Sequence, residues 1–196
     1  MRADYRQLSE ERDQLKVSLS RTTAKIHEFE NKTGQTGPMR LSMENQIISL
    51  DSIAANIKLQ ISSQLNEKCC SLEIINPDGR QMIKTDPELL QIVITKLLEN
   101  ALLASKENET VQLNLKVLFE TGMLIVEVRD FGEGLTPAEQ TAFFSADQKS
   151  VPGIGSLQAI RDAIRAIRVL NGKIWLKSKK GAFTSFRVQL PVRIID

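Results

Sequence analysis

Three short stretches of this chain carry residue types that packing alone does not explain. The first is Asn100, set among Leu97, Leu98, Ala101 and Leu102. An amide in so apolar a run must be hydrogen-bonded or liganded, because burying it unpaired costs about 1–3 kcal/mol. The second is Asp130-Phe131-Gly132-Glu133-Gly134, in which a carboxylate closes an apolar run and enters Gly-x-Gly. A carboxylate there accepts hydrogen bonds from an exocyclic amine. The two glycines let the backbone pass close to a planar base, or take φ > 0. The third is Gly153-Ile154-Gly155, just ahead of an amphipathic run. Glycines at a helix start leave backbone N–H groups and the positive dipole end open to phosphate. Each stretch alone has an ordinary alternative: an amide satisfied by backbone, a plain turn, a helix start without a ligand.

The elements that hold these residues follow from the hydrophobic pattern. Asp86-Pro87-Glu88 is a strong helix start, with Asp as cap and Pro at the first helical position. The helix is expected to run to about residue 106 and to be buried, since it is apolar nearly all round. Val111, Leu113, Leu115, Val117 and Phe119 alternate with polar residues, as in a strand with one wet face. Thr121-Gly122 turns the chain into a second strand over 123–129, giving an antiparallel hairpin. Thr136-Pro137-Ala138-Glu139 opens a short helix. Residues 156–170 form an amphipathic helix closed by Asn171-Gly172. A last strand pair covers 173–178 and 183–190. Upstream, the pattern predicts a short strand at 46–50, then a helix capped by Asp51-Ser52 and running to about 66. Strands at 72–75 and 81–84 flank the turn Asn76-Pro77-Asp78-Gly79. The order predicts an α+β domain: a two-layer α/β sandwich of mixed sheet with helices on one face.

Charge and cysteine content narrow the partners. A formal net charge of +2, with no long basic stretch, points to neither nucleic acid nor a membrane surface. No apolar run reaches the length of a membrane span, and the polar start Met1-Arg2-Ala3-Asp4 is not a secretory signal. Cys69 and Cys70 are adjacent, which suits reduced thiols in a cytoplasmic setting rather than a bridge or a metal site. Residues 1–32 lack Gly and Pro, and Tyr5, Leu8, Arg12, Leu15, Leu19, Thr22, Ile26 and Phe29 follow at steps of three and four. That is a coiled-coil seam, and it predicts a homodimer through residues 1–32, with a single helix folded back on the domain as the alternative. Residues 33–45 read as a linker and 46–196 as the globular domain.

In combination and order, the three stretches resemble the GHKL ATPase superfamily of histidine kinases, gyrase-type topoisomerases, Hsp90 and MutL. Asp86-Pro87-Glu88-Leu89-Leu90-Gln91-Ile92-Val93 with Leu97-Leu98-Glu99-Asn100-Ala101 is similar to the histidine-kinase N box. Val128-Arg129-Asp130-Phe131-Gly132-Glu133-Gly134-Leu135 is similar to the G1 box, and Gly153-Ile154-Gly155 to the G2 box. The resemblance implies a Bergerat-type fold that binds ATP with Mg²⁺. It implies that Asn100 ligates the metal, that Asp130 bonds the adenine amino group with Gly132 and Gly134 giving room, and that Thr184 supports the base. Gly153 and Gly155 would border the phosphates, under a lid over 145–152 in which Lys149 is a candidate phosphate contact. The implied activity is transfer of the γ-phosphoryl of ATP to a histidine, with a response regulator or phosphoacceptor domain as partner.

The chain departs from the family at informative places. Lys96 stands one turn before Asn100, where the family usually has Asn, Glu or His, Glu being the base of its hydrolytic members. A lysine does not serve as that base unless its pKa is strongly lowered, but it can contact phosphate. Val151, Ser156 and Phe183 also depart from the usual boxes. The one histidine, His27, lacks the residues that normally follow a phosphoacceptor, so the acceptor is expected elsewhere. Two alternatives stay open at this point: a degenerate, dimeric signalling module with weak or no catalysis, and a serine kinase of the anti-sigma-factor type.

Overall fold

The computed structural model describes residues 43–143 and 157–195. In chain order the elements are β1 (Gln46–Ser49), α1 (Leu50–Gln60), α2 (Ser62–Glu67), β2 (Ser71–Ile75), β3 (Met82–Thr85), α3 (Pro87–Ala104), β4 (Thr110–Leu118), β5 (Met123–Asp130), α4 (Pro137–Phe143), α5 (Leu157–Val169), β6 (Lys173–Lys179), β7 (Phe183–Pro191) and β8 (Arg193–Ile195). The coiled-coil expectation for residues 1–32 and most of the linker lie outside the described residues.

A five-stranded sheet of order β2-β4-β5-β7-β6 forms one layer. It is mixed: β2 runs parallel to β4, and the other neighbours are antiparallel. Alternation along the strands sends Val111, Leu113, Leu115, Val117, Leu124, Val126, Val128, Phe186, Val188 and Leu190 into one core. Leu90, Val93, Leu97 and Ala101 of α3 and Ile160, Ala163 and Ile167 of α5 close that core from the other side, and α3 and α5 pack against each other. This is the two-layer α+β arrangement the pattern predicts. A second sheet, β1-β3-β8, is small and antiparallel.

The start of α3 is fixed by one buried carboxylate. Asp86 accepts the Leu89 N–H at 3.0 Å as the helix cap, and its other oxygen accepts the Glu44 N–H at 2.8 Å. Pro87 occupies the first turn, where a missing N–H costs nothing.

Three local expectations are corrected. The first helix is capped by Ser49, whose hydroxyl accepts the Ser52 N–H, and not by Asp51 or Ser52. Asp51 instead ties down the following turn: its N–H donates to the Gly79 carbonyl at 2.9 Å and its carboxylate accepts the Asn76 amide at 3.0 Å. The helix expected to continue to 66 is interrupted at Ile61, where the Ser62 hydroxyl donates to the Leu59 carbonyl at 2.8 Å and draws the backbone out of register. Ile53, Ile57 and Ile61 are nevertheless buried on one face, as their spacing requires. Strand β8 had no sequence signal, because three residues directly after Pro191-Val192 are too few for alternation to register.

Candidate functional site

The site is built where the apolar rows of the large sheet stop. Across β5, β7 and β6, Val126 pairs with Val188 and Val188 with Ile174, then Val128 with Phe186 and Phe186 with Leu176. The next row is polar: Asp130 pairs with Thr184, and Thr184 with Ser178. Register thus brings Thr184 beside Asp130, as the sequence reading required. Asp130 is 1% exposed and Thr184 2%. The Ser178 hydroxyl lies 3.1 Å from that of Thr184.

Burial pushes the Asp130 carboxyl up to about 6, since charge loses its water there. The backbone N–H groups of Gly132 and Thr184 pull the other way by solvating the charged form, that of Gly132 at 3.1 Å. Asp130 remains an acceptor facing a protected row, which suits an amine donor.

Ser178 is the residue that sequence reasoning missed. Its hydroxyl accepts the Leu135 N–H at 2.7 Å and donates to the Phe183 carbonyl at 2.7 Å, fastening the glycine loop to the closing hairpin. Gln140 of α4 reinforces this, donating to the carbonyls of Leu135 and Ser178 at 3.1 and 3.0 Å. The available signal was the alternation Ile174, Leu176, Ser178, which puts a serine in the last inward position of β6.

Of the reasons expected for the loop glycines, positive φ holds for Gly134. A Cβ on Gly132 would run into the Ala104 carbonyl at the end of α3. A Cβ on Gly134, whose φ is +59°, would run into the Lys179 carbonyl. The room they leave is taken by the protein's own backbone, so they dock the loop on α3 and β6. Gly181, at the turn between β6 and β7, donates its N–H to the Glu133 carbonyl and completes the clasp.

Asn100 lies on α3 and is 1% exposed. Lys96 lies one turn earlier, with its ammonium 2.8 Å from the Glu99 carboxylate. The Phe183 departure also has a structural account: the Arg129 guanidinium sits over its ring, 4.7 Å from the centroid, on the side of the sheet away from the helices. Lys149, Gly153, Gly155 and His27 lie outside the described residues, as do Val151 and Ser156. Among the described residues no cluster of three His, Cys, Asp or Glu side chains is placed to hold a metal ion. No helix among them is long and apolar enough to cross a membrane.

The family described as histidine kinase-, DNA gyrase B- and HSP90-like ATPases matches residues 85–194, from the start of α3 through the polar row to β8. The chain belongs to this ATPase family. Within it, the similar curated proteins are sensor kinases. The adaptive-response sensory kinase SasA of Synechococcus sp. (strain JA-3-3Ab) is 29% identical over 173 residues, covering 84% of this chain and 44% of that protein. The sensor histidine kinase RcsC of Escherichia coli (strain K12) is 30% identical over 151 residues, covering 73% of this chain and 15% of that protein. The chain therefore spans less than half the length of these relatives. Among solved structures, full-length ShkA in complex with AMPPNP matches with a TM-score of 0.67 at 17% identity, over 81% of this chain and 33% of that one. The catalytic domain of histidine kinase ThkA matches with a TM-score of 0.62 at 17% identity, over 76% of this chain and 96% of that one. The domain is thus a histidine-kinase-type ATPase domain in sequence family and in fold.

Proposed function

We propose that this chain is the ATP-binding catalytic domain of a sensor histidine kinase in two-component signalling, moving the γ-phosphoryl of ATP to a histidine other than His27, on a segment outside this sequence or on another chain. The observation that carries the reading is the buried pair Asp130 and Thr184 with the half-buried Ser178 beside them, fastened under the glycine loop. Asp130 accepts the adenine amino hydrogen, which restores to its charge part of the solvation that burial removed. Thr184 orients the base from the neighbouring strand. Asn100 offers its amide oxygen to Mg²⁺, a hard cation that keeps few protein ligands and takes the rest from phosphate and water. That donor set fits a metal arriving with its nucleotide rather than a resident metal cage. ATP supplies the phosphoryl group; the chain supplies position and electrostatics.

Gly153 and Gly155 border the phosphates and Lys149 of the 145–152 lid contacts them. Residues 1–32 pair two copies, and a response regulator or phosphoacceptor domain receives the signal in the cytoplasm. His27 is not the acceptor.

Calorimetric titration with ATP and Mg²⁺ tests the reading. Binding by the wild-type chain, lost in Asp130→Asn, is the expected result; no binding at millimolar nucleotide overturns it. Incubation with γ-labelled ATP extends the test to transfer. With His27 the one histidine, the chain alone is expected to stay unlabelled, and acid-labile label lost in His27→Ala would instead make His27 the acceptor.

A further inference from the structure

Along one face of α3 stand Ala104, Asn100 and Lys96, each one turn from the next. The three mark out a direction. Ala104 is where the glycine loop docks, because its carbonyl occupies the space a Gly132 side chain would need. Asp130 precedes that loop, so the base end of the proposed nucleotide lies near the C-terminal end of α3. Asn100, the proposed metal ligand, is one turn back toward the N-terminus. Lys96 is a further turn back, about 12 Å along the axis from Ala104 at 1.5 Å per residue. A nucleotide laid from Asp130 past Asn100 therefore brings its last phosphate, not its first, toward Lys96.

Lys96 has a partner within α3. Its ammonium is 2.8 Å from the Glu99 carboxylate, an i,i+3 pair with the two side chains 33% and 24% exposed. Such a half-exposed pair within one helix is a weak association. A terminal phosphate carries more negative charge than one carboxylate and offers several acceptor oxygens. The lysine has four methylenes with which to change partner. Glu99 has a second effect, since its own charge repels the polyphosphate.

We propose that Lys96 is the residue that distinguishes a nucleoside triphosphate from a diphosphate at this site, by exchanging Glu99 for the terminal phosphate when the triphosphate binds. Glu99 sets the threshold of that exchange. The inference rests on the nucleotide-binding reading above and adds a specificity-determining cation to it. No bond is made or broken in the exchange; one ion pair replaces another.

The two partners give opposite results in one experiment. ATP and ADP, each with saturating Mg²⁺, are titrated calorimetrically into the full chain, its Lys96→Met, Lys96→Arg and Glu99→Gln variants, with circular dichroism confirming the fold of each. A charge-assisted contact confined to the terminal phosphate makes the ATP-to-ADP affinity ratio fall about tenfold in Lys96→Met. The ratio is retained in Lys96→Arg and rises in Glu99→Gln. A ratio unchanged in Lys96→Met, or ATP and ADP weakened alike, overturns the inference while leaving nucleotide binding intact. Failure of the wild-type chain to bind either nucleotide overturns the nucleotide reading, and this inference with it. Should Lys96→Met not fold, the directions seen in Lys96→Arg and Glu99→Gln decide.

Discussion

Asp130 keeps its proton more tightly in the folded chain than in the unfolded one, because burial strips water from its charged form. With a folded value of about 6 against 3.8 for the free group, folding takes up protons between those limits. The stability tied to this group is therefore fully present below about pH 4 and is lost as pH rises through about 6, by on the order of 3 kcal/mol. Urea unfolding of wild type and Asp130→Asn near pH 4 and near pH 7 checks this: the variant should gain on wild type as pH rises. A difference that stays constant with pH would rule out burial as the cause. The same titration reaches function, since the ionised carboxylate is the stronger acceptor, and nucleotide affinity is expected to fall as pH drops below about 6. Asp130 and Asn100 were both legible as residues, because each is a polar group in an apolar context that demands a partner. Ser178 was not. A serine between two lysines reads as surface; the alternation of β6 gives only its face, and the register of β6 on β7 is what sets it beside Thr184.

At the scale of elements, the glycine loop is held by geometry rather than by sequence identity alone. Gly134 and Gly181 both have positive φ, +59° and +74°, but their surroundings differ. A side chain on Gly134 meets the Lys179 backbone, whereas one on Gly181 meets nothing within 4 Å. Gly181→Ala should then cost about 1 kcal/mol, the strain of the backbone alone, and Gly134→Ala about 3 kcal/mol, with loss of nucleotide affinity as the loop lifts. Chemical denaturation of the two variants checks it; equal losses would mean that the carbonyl contact is relieved by a small shift. Helices and long strands were readable because their periods repeat: α3 from its cap and its apolar surface, β4 and β5 from alternation. What escaped were features set by one side chain or by tertiary pairing. The Ser62 hydroxyl breaks a pattern that still buries Ile53, Ile57 and Ile61. Strand β8 exists because β3 offers it an edge.

For the whole molecule, the proposed pairing of two copies through the seam over residues 1–32 is open to direct test. Sedimentation equilibrium of the full chain should give a dimer, and removal of residues 1–42 a monomer that still binds nucleotide with similar affinity. A full chain that stays monomeric at high micromolar concentration would sink the coiled-coil reading.

One contact makes α3 more than a platform. The Glu44 amide and the first turn of α3 share the two oxygens of Asp86. A displacement of Glu44 would therefore act first on the carboxylate that starts the helix. α3 has 18 residues, hence a length of about 27 Å. Lys96, Asn100 and the Ala104–Gly132 joint lie at increasing distances from Asp86 along it, so a tilt of the helix about Asp86 would move the glycine-loop end furthest.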